Sequence, residues 1–299
     1  MTALEFDVRL DACTVCGQPL ARFDEPIIKG IAVRYDACAS CGLVQMNPRP
    51  SEEALEAFYA HAYRANAGDE QLEQTGDAQR RRSAQQRDFL GATPRRHLDV
   101  GCSTGLLLQT IGAPEQVGVE PGEQHRRAAA EVGIEVHASI EDLVATDPEP
   151  FDLITMSHVL EHLADPVGFL PALRPLLAPG GRLLLEVPHL YRSIAYELAH
   201  LLVFSPPSLT ATLRAAGWTV VDTRIHVARQ GGLGNGRNIC VLAVPSEPVA
   251  PEAGSHPVVV MQAKRRLGFA PQRLYRWRRR QQRLVTRNVR KLRRRVLGR

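Results

Sequence analysis

From Arg96 onward, short apolar runs alternate with stretches whose apolar positions recur every three or four residues. That alternation predicts strands at Arg96–Val100, Gln116–Val119, Ile134–His137, Phe151–Met156, Arg182–Val187, Trp218–Val227 and Asn238–Val244. Helices are expected at Thr104–Ile111, Arg126–Val132, Pro166–Leu177 and Ser205–Ala216, the last stopped by Gly217. Phe151–Met156 is nearly apolar throughout, as a strand covered on both faces should be. Strands alternating with helices predict a parallel sheet with helices on both sides.

Outside this region the pattern changes. Ile27–Tyr35 reads as strand material, and Gly42–Met46 is a strand stopped by Pro48 and Pro50. Ser51 then caps a helix, with Glu52 and Glu53 in its first turn and Ala54, Leu55, Phe58 and Tyr59 on its apolar face. Residues 66–78 are polar and contain glycine, which predicts a loop or lid, and a helix over Ala78–Leu90 follows. Gln230–Gly236 is a glycine-rich loop, but it precedes a strand rather than a helix, so it is no phosphate cradle. Pro245–Pro257 is a linker.

Length and charge refine this division. The 299 residues have room for roughly two domains. No apolar run approaches the roughly 18 residues of a membrane span, and Met1–Leu10 lacks the pattern of a secretory signal, so a cytoplasmic protein is expected. The net charge of +5 hides a segregation: Lys264–Arg299 holds 16 Lys and Arg and no acid, leaving 21 basic against 32 acidic residues before it. In that tail Leu274, Trp277, Leu284, Val285, Val289, Leu292 and Val296 roughly share one face of a helix opened by Pro271. A basic amphipathic helix predicts peripheral contact with an anionic membrane surface, ahead of nucleic acid.

Four of the six cysteines form two copies of one device, Cys13-Thr14-Val15-Cys16-Gly17 and Cys38-Ala39-Ser40-Cys41-Gly42. Each turns two thiolates toward one point, and four thiolates suit a tetrahedral, structural Zn²⁺. Cys102 and Cys240 stand alone in apolar settings and read as packing residues.

The chemistry converges on Asp99-Val100-Gly101-Cys102-Ser103-Thr104-Gly105, where a strand ends in a glycine turn before a helix. Glycine permits close approach of a ligand to the backbone, and Asp99 suits an ammonium or hydroxyl. Glu120 ends the next strand 21 residues later, where an acid commonly accepts both ribose hydroxyls of a nucleoside. The turn lacks the third glycine of a pyrophosphate cradle.

These segments, with Phe151–His162 and Leu176–Pro188, resemble in order the motifs of class I S-adenosylmethionine-dependent methyltransferases over residues 95–245. The resemblance implies a doubly wound, Rossmann-like sheet of seven strands with the last antiparallel. It implies S-adenosylmethionine as cofactor, with Asp99, Gly101, Ser103 and Gly105 at its methionine end. Glu120 would then bind the ribose, Ser139 and Ile140 would border the adenine, and Met156 and Ser157 would line the methyl-transfer cavity. Ser103 stands where the family usually has glycine, and the loop is expected to survive. Cys38–Gln45 ahead of such a domain resembles the zinc-ribbon-bearing group that includes sugar C-methyltransferases. Of that group's later motif, Tyr196–Ser205 keeps His200 and Phe204-Ser205 but has Ala199 before the histidine. The acceptor implied is a small molecule, a sugar or a glycan- or lipid-pathway intermediate, methylated on oxygen or carbon.

His158 and His200 are the candidate catalytic bases, with His189 near the cleft as a further candidate. His158, Glu161 and His162, at i, i+3 and i+4, would share a helix face and suit a divalent metal. The expected organisation is a zinc ribbon (1–50), a helical linker or lid (51–94), the cofactor-binding domain (95–245), a linker (246–257) and a basic tail (258–299). An RNA methyltransferase and a non-catalytic binding module on the same scaffold are the alternatives.

Overall fold

The computed structural model describes residues 5–51, 53–55, 69–191, 196–228, 236–251, 254 and 256–268. Five short strands open the chain: β1 (Leu20–Asp24), β2 (Ile27–Ile28), β3 (Ile31–Ala32), β4 (Tyr35–Cys38) and β5 (Val44–Met46). The stretch expected as one strand, Ile27–Tyr35, is instead a small β2–β3 hairpin followed by β4. Gly30 at φ 88° makes the turn that a continuous strand would not need.

Helix α1 (Asp69–Leu90) begins well before Ala78, so the polar stretch expected as a loop is helical from Asp69. Gly76 alone costs about 1 kcal/mol, too little to break a run of Glu, Gln, Ala and Arg. Ser51 caps as expected, its Oγ accepting from the Ala54 N–H at 3.3 Å. Phe58 and Tyr59 lie outside the described residues.

The main sheet comprises β6 (Arg96–Val100), β7 (Glu115–Val119), β8 (Glu135–His137), β9 (Phe151–Ser157), β10 (Leu177–Pro188), β12 (Trp218–Ala228) and β13 (Gly236–Pro245). Its order is β12-β13-β10-β9-β6-β7-β8, and only β13 runs against its neighbours. The expected seven strands with an antiparallel last strand are therefore present. Between them run α2 (Leu106–Ile111), α3 (Glu123–Glu131), α4 (Ile140–Val144), α5 (Pro166–Phe169) and α6 (Pro206–Ala215). The helix expected over Pro166–Leu177 is one α-turn continued as a 3₁₀ segment over Leu170–Leu176, because Pro171 and Pro175 withhold backbone N–H groups.

Two apolar layers sandwich the sheet. Phe89 and Leu90 of α1 with Leu107 and Ile111 of α2 cover Leu153, Leu184, Cys240 and Leu242. On the other face Leu143, Leu173 and Leu213 meet Leu98, Ile154, Leu183 and Val241 in a cluster that continues into the N-terminal module. Cys102 and Cys240 are buried packing residues.

The N-terminal module is not closed on itself. Its sheet has the order β1-β4-β5-β11, and β11 (Leu202–Val203) comes from beyond the central strands. The linker also returns to it: the His256 N–H donates to Ala39 O at 2.8 Å. Helix α7 (Val258–Gly268) buries Met261 against this module, and Gln262 donates to Phe23 O at 2.6 Å. The remaining basic tail, including the helix expected from Pro271, lies outside the described residues, as does most of Gln230–Gly236. Among the described residues no helix is long and apolar enough to cross a membrane.

Candidate active site

The strand order reverses between β6 and β9, and the crevice at the carboxyl ends of such strands is where open α/β sheets bind ligands. The glycine turn forms its floor. Gly101, Ser103 and Gly105 have φ of 78°, 48° and 78°. A Cβ on Gly101 would stand 2.4 Å from Val159 Cγ2, and one on Gly105 2.1 Å from Ile134 Cδ1. Both glycines are thus required by conformation and by space. Ser103 adopts the left-handed conformation usually left to glycine, so the expected loop survives the substitution.

Ser103 also gives its N–H to Glu120 Oε2 at 3.0 Å, and the Gly122 N–H reaches Oε1 at 2.8 Å. Two backbone donors therefore fix the Glu120 carboxylate at the strand end, 7% exposed, with acceptor capacity left for hydroxyls. Asp99 is 2% exposed, and burial pushes its carboxyl up to about 7 against the pull of the Thr155 hydroxyl. Ser139 caps α4, its Oγ accepting from the Asp142 N–H at 3.0 Å, and Ile140 is buried beside it. Ser157 ends β9 and accepts from Gln86 Nε2 of α1 at 2.9 Å. Met156 departs from expectation: at 0% exposure its side chain belongs to the core opposite α1 rather than to a cavity. Alternation along β9 puts Thr155 and Ser157 on the α1 side and Met156 on the other.

The histidines separate into two groups. His158 has φ 59° and its ring lies between two buried carboxylates, Nδ1 3.1 Å from Glu161 Oε1 and Nε2 3.7 Å from Glu186 Oε1. Burial and Arg82 oppose its charge, but the two carboxylates outweigh them and its pKa is raised. Glu186 is fully buried and also meets His226 Nδ1 at 2.7 Å, Asn238 Nδ2 at 2.8 Å and Arg82 Nε at 3.8 Å. Burial alone would raise Glu186, yet His158 and His226 bring it down to about 2.

His200 belongs to the second group. It is buried at 5% exposure, with its ring edge-on to His162 at 4.8 Å and Nε2 3.7 Å from Glu197 Oε2. Glu161, His162 and His200 present ligand atoms that all lie within 4.8 Å of one another. The helix face expected for His158, Glu161 and His162 is corrected here. Leu160–His162 is a single 3₁₀ turn, and His158, which precedes it, meets Glu161 but stands outside the close-set group. The trio that meets is Glu161, His162 and His200. Ala199 thus does not leave His200 without an acid, since Glu161 and Glu197 supply one from elsewhere. His189 is buried too, and its Nδ1 accepts from the Tyr191 N–H at 3.1 Å.

Sequence reasoning missed Glu186, Thr155, His97, Asn238, His226, Arg82 and Gln86. The signal for the first three is a polar residue inside an apolar strand run, since such a group must find a buried partner.

In the N-terminal module the four cysteines converge as expected, with Cys13 Sγ 3.6 Å from Cys41 Sγ and Cys16 Sγ 3.5 Å from Cys38 Sγ. These separations exceed the roughly 2 Å of a disulfide and approach the edge of a tetrahedron with zinc–sulfur bonds of about 2.3 Å. The donor set fits a closed structural site for a soft divalent ion.

Comparison with known proteins agrees with this geometry. Residues 75–223, about half of the chain, match the family model described as a methyltransferase domain. The ubiquinone biosynthesis O-methyltransferase of Xylella fastidiosa strain 9a5c is 40% identical over 102 residues, which are 29% of this chain and 39% of that protein. The enzyme of the same name from Neisseria meningitidis serogroup C is 28% identical over 167 residues, 46% of this chain and 70% of its own. The chain thus spans about two fifths of the length of the first of these relatives. The structure of Burkholderia thailandensis 1,6-didemethyltoxoflavin-N1-methyltransferase, bound to 1,6-didemethyltoxoflavin and S-adenosylhomocysteine, shares the fold. Its TM-score is 0.54 at 19% identity, covering 75% of this chain and all of that one. Fold and site together define a class I methyltransferase domain. The chain carries a domain of the S-adenosylmethionine-dependent class, preceded by a four-cysteine module.

Proposed function

We propose that this protein transfers a methyl group from S-adenosylmethionine to a hydroxyl of a small polar acceptor, of the sugar or glycan- and lipid-intermediate type. The observation that carries the cofactor is Glu120, its carboxylate held by two backbone N–H groups beside the left-handed turn at Gly101–Gly105. Asp99 would meet the methionine end, Glu120 the ribose, and Ser139 and Ile140 the adenine edge. When bound, the cofactor supplies an activated methyl on a sulfonium, so the protein's task is alignment and proton removal.

The acceptor side is polar. Ser157, Arg82, Gln86, Glu186, Asn238 and His158 gather at the ends of β9, β10 and β13 under α1. That surface suits a hydroxylated molecule. Oxygen is favoured over carbon because the curated relatives named above are O-methyltransferases. His200, flanked by Glu161 and Glu197, is the better candidate to take the hydroxyl proton. His158, held between two carboxylates, is fitted to orient the acceptor. The four cysteines hold structural zinc that folds the module carrying β5 and, through it, β11.

The test is methyl transfer from radiolabelled S-adenosylmethionine to nucleotide sugars, free sugars, catechols and total RNA in parallel. The proposal expects alkali-stable label on a hydroxylated small molecule, reduced at least a hundredfold in His200→Ala. Label on RNA alone, or full turnover in His200→Ala, would overturn it.

A further inference from the structure

His97 and Thr155 have no part in the chemistry above, yet they form a continuous buried contact with Asp99. In the parallel pairing of β6 with β9, Asp99 lies opposite Thr155 and His97 opposite Leu153. His97, Asp99 and Thr155 therefore project from the same face, toward α1. His97 Nε2 is 2.7 Å from Thr155 Oγ1, and Thr155 Oγ1 is 2.6 Å from Asp99 Oδ1. His97 and Thr155 are 0% exposed.

We infer that His97 and Thr155 are positioning residues for the cofactor: a directional hydrogen-bond wire, His97 to Thr155 to Asp99, that holds Asp99 as a carboxylate for the ammonium of S-adenosylmethionine. The inference rests on the proposed place of Asp99 at the methionine end.

The direction follows from proton counting. A hydroxyl has one proton to donate. When Thr155 donates to an ionised Asp99, its oxygen must accept from His97, which places the His97 proton on Nε2. His97 Nδ1 has no hydrogen-bond partner. As a bare lone pair that position is tolerable, but as an N–H it would be a buried, unpaired donor, which proteins rarely contain. A proton on Asp99 Oδ1 would reverse the wire, move the His97 proton to Nδ1 and create that orphan, while a proton on Oδ2 would leave the Thr155 donor facing a neutral oxygen, a weaker acceptor than a carboxylate. The alternative acceptor for the Thr155 hydroxyl, Leu98 O, is 3.5 Å away. The wire therefore favours the ionised acid. Burial holds the His97 ring neutral, its pKa pushed down to about 3, so it serves as a dipole and adds no charge.

The groups facing Asp99 set the scale of the effect. Burial raises its pKa, the Thr155 hydroxyl lowers it, Glu120 after β7 raises it and Arg82 of α1 lowers it. The Cys102 thiol, pushed up by burial, stays neutral. Thr155 is the hydrogen-bond donor in this set, so its loss acts directly on the protonation of Asp99.

The test is calorimetric titration of the full-length protein with S-adenosylhomocysteine, which keeps the ammonium, from about pH 5.5 to about 10.5, a span that takes in the ligand's amine. Wild type is expected to show a bell: affinity climbs as Asp99 ionises near pH 7 and falls only at the alkaline end, where the ligand's amine, less acidic than a peptide N-terminus because a free carboxylate stands beside it, loses its proton. Thr155→Val should move the acid limb up by about one unit and lower the peak about tenfold, leaving the basic limb in place. Thr155→Ser should restore the wild-type curve. His97→Leu should move the acid limb in the same direction by a smaller amount. A Thr155→Val curve that drops evenly at every pH, or matches wild type, would overturn the wire. Wild type that binds no ligand at any pH would instead defeat the cofactor reading on which it rests. Independently of ligand, imidazole ¹⁵N shifts should show the Nε2–H tautomer for His97 at pH 7.5, and the Nδ1–H tautomer would contradict the wire.

Discussion

At the scale of single residues, the candidate site is held by backbone geometry as much as by side chains. Gly101→Ala must place a methyl 2.4 Å from Val159 Cγ2 at φ 78°. Strain of this kind costs about 1–3 kcal/mol. The expected result is a melting temperature lowered by several degrees together with loss of cofactor binding. Glu186 offers a second test. Its folded pKa of about 2 lies below the ordinary 4.5, so its stabilisation is present above pH 4.5 and lost as pH falls toward 2. Glu186→Gln leaves His158, His226 and Arg82 facing a neutral group, and removing one partner of a buried ion pair costs about 3–5 kcal/mol. Chemical denaturation should therefore show a large deficit at pH 7 that narrows below pH 4. Glycines, cysteines and terminal acids were legible in the sequence because each announces itself by type and spacing. Glu186 and Thr155 were not, because their meaning lies in partners on other strands, 52 residues distant for Glu186 with Asn238 and 58 for Thr155 with His97.

At the scale of elements, β6, β9 and α6 were read closely because each has a strong local signal. β6 follows its predicted bounds, β9 is a mostly apolar run, and α6 has Ser205 as its cap, accepting from the Ser208 N–H. β11 carried no such signal. Two apolar residues do not mark a strand, and pairing with Gln45 and Val44 depends on the module folding first. That pairing has a consequence for the candidate base. The Met46 N–H donates to Leu201 O at 2.8 Å and the Tyr35 hydroxyl to His200 O at 3.0 Å. Gln45 Oε1 accepts from the Thr14 side chain at 2.7 Å, within the first cysteine loop. The four-cysteine loops thus support the strand that seats His200. Chelation of bound metal, or Cys38→Ser, should raise amide exchange at residues 201–203 while strands β6 and β7 stay protected. Unchanged exchange there would separate the module from the site.

At the scale of the whole molecule, the basic C-terminal region reads differently from its composition. Charge segregation pointed to a tail set apart from the body, and the part described is instead docked. Arg265 donates to Leu190 O, pairs with Asp24 at 3.4 Å and lies 3.9 Å over the Tyr196 ring, which stacks on Tyr35 at 4.4 Å. Helix α7 therefore ties the N-terminal module to the segment that leads to His200. Deletion from Val258 should lower the melting temperature by a few degrees, beyond any effect on binding to anionic vesicles. Arg265→Ala should reproduce much of that loss, and unchanged stability in both would show that the helix is a passive appendage. The linker's return to Ala39 and the long-range contacts of Arg265 were invisible to local reasoning, since both depend on where the two ends of the chain meet.

The proposed chemistry depends on the crevice between β6 and β9 binding S-adenosylmethionine through Glu120. Isothermal titration of the full-length protein with S-adenosylhomocysteine answers this directly. One site per chain is expected in wild type, with at least a tenfold loss of affinity, about 1.4 kcal/mol, in Glu120→Ala that remains folded. Equal affinity in the two proteins, or no binding by wild type, would contradict that expectation.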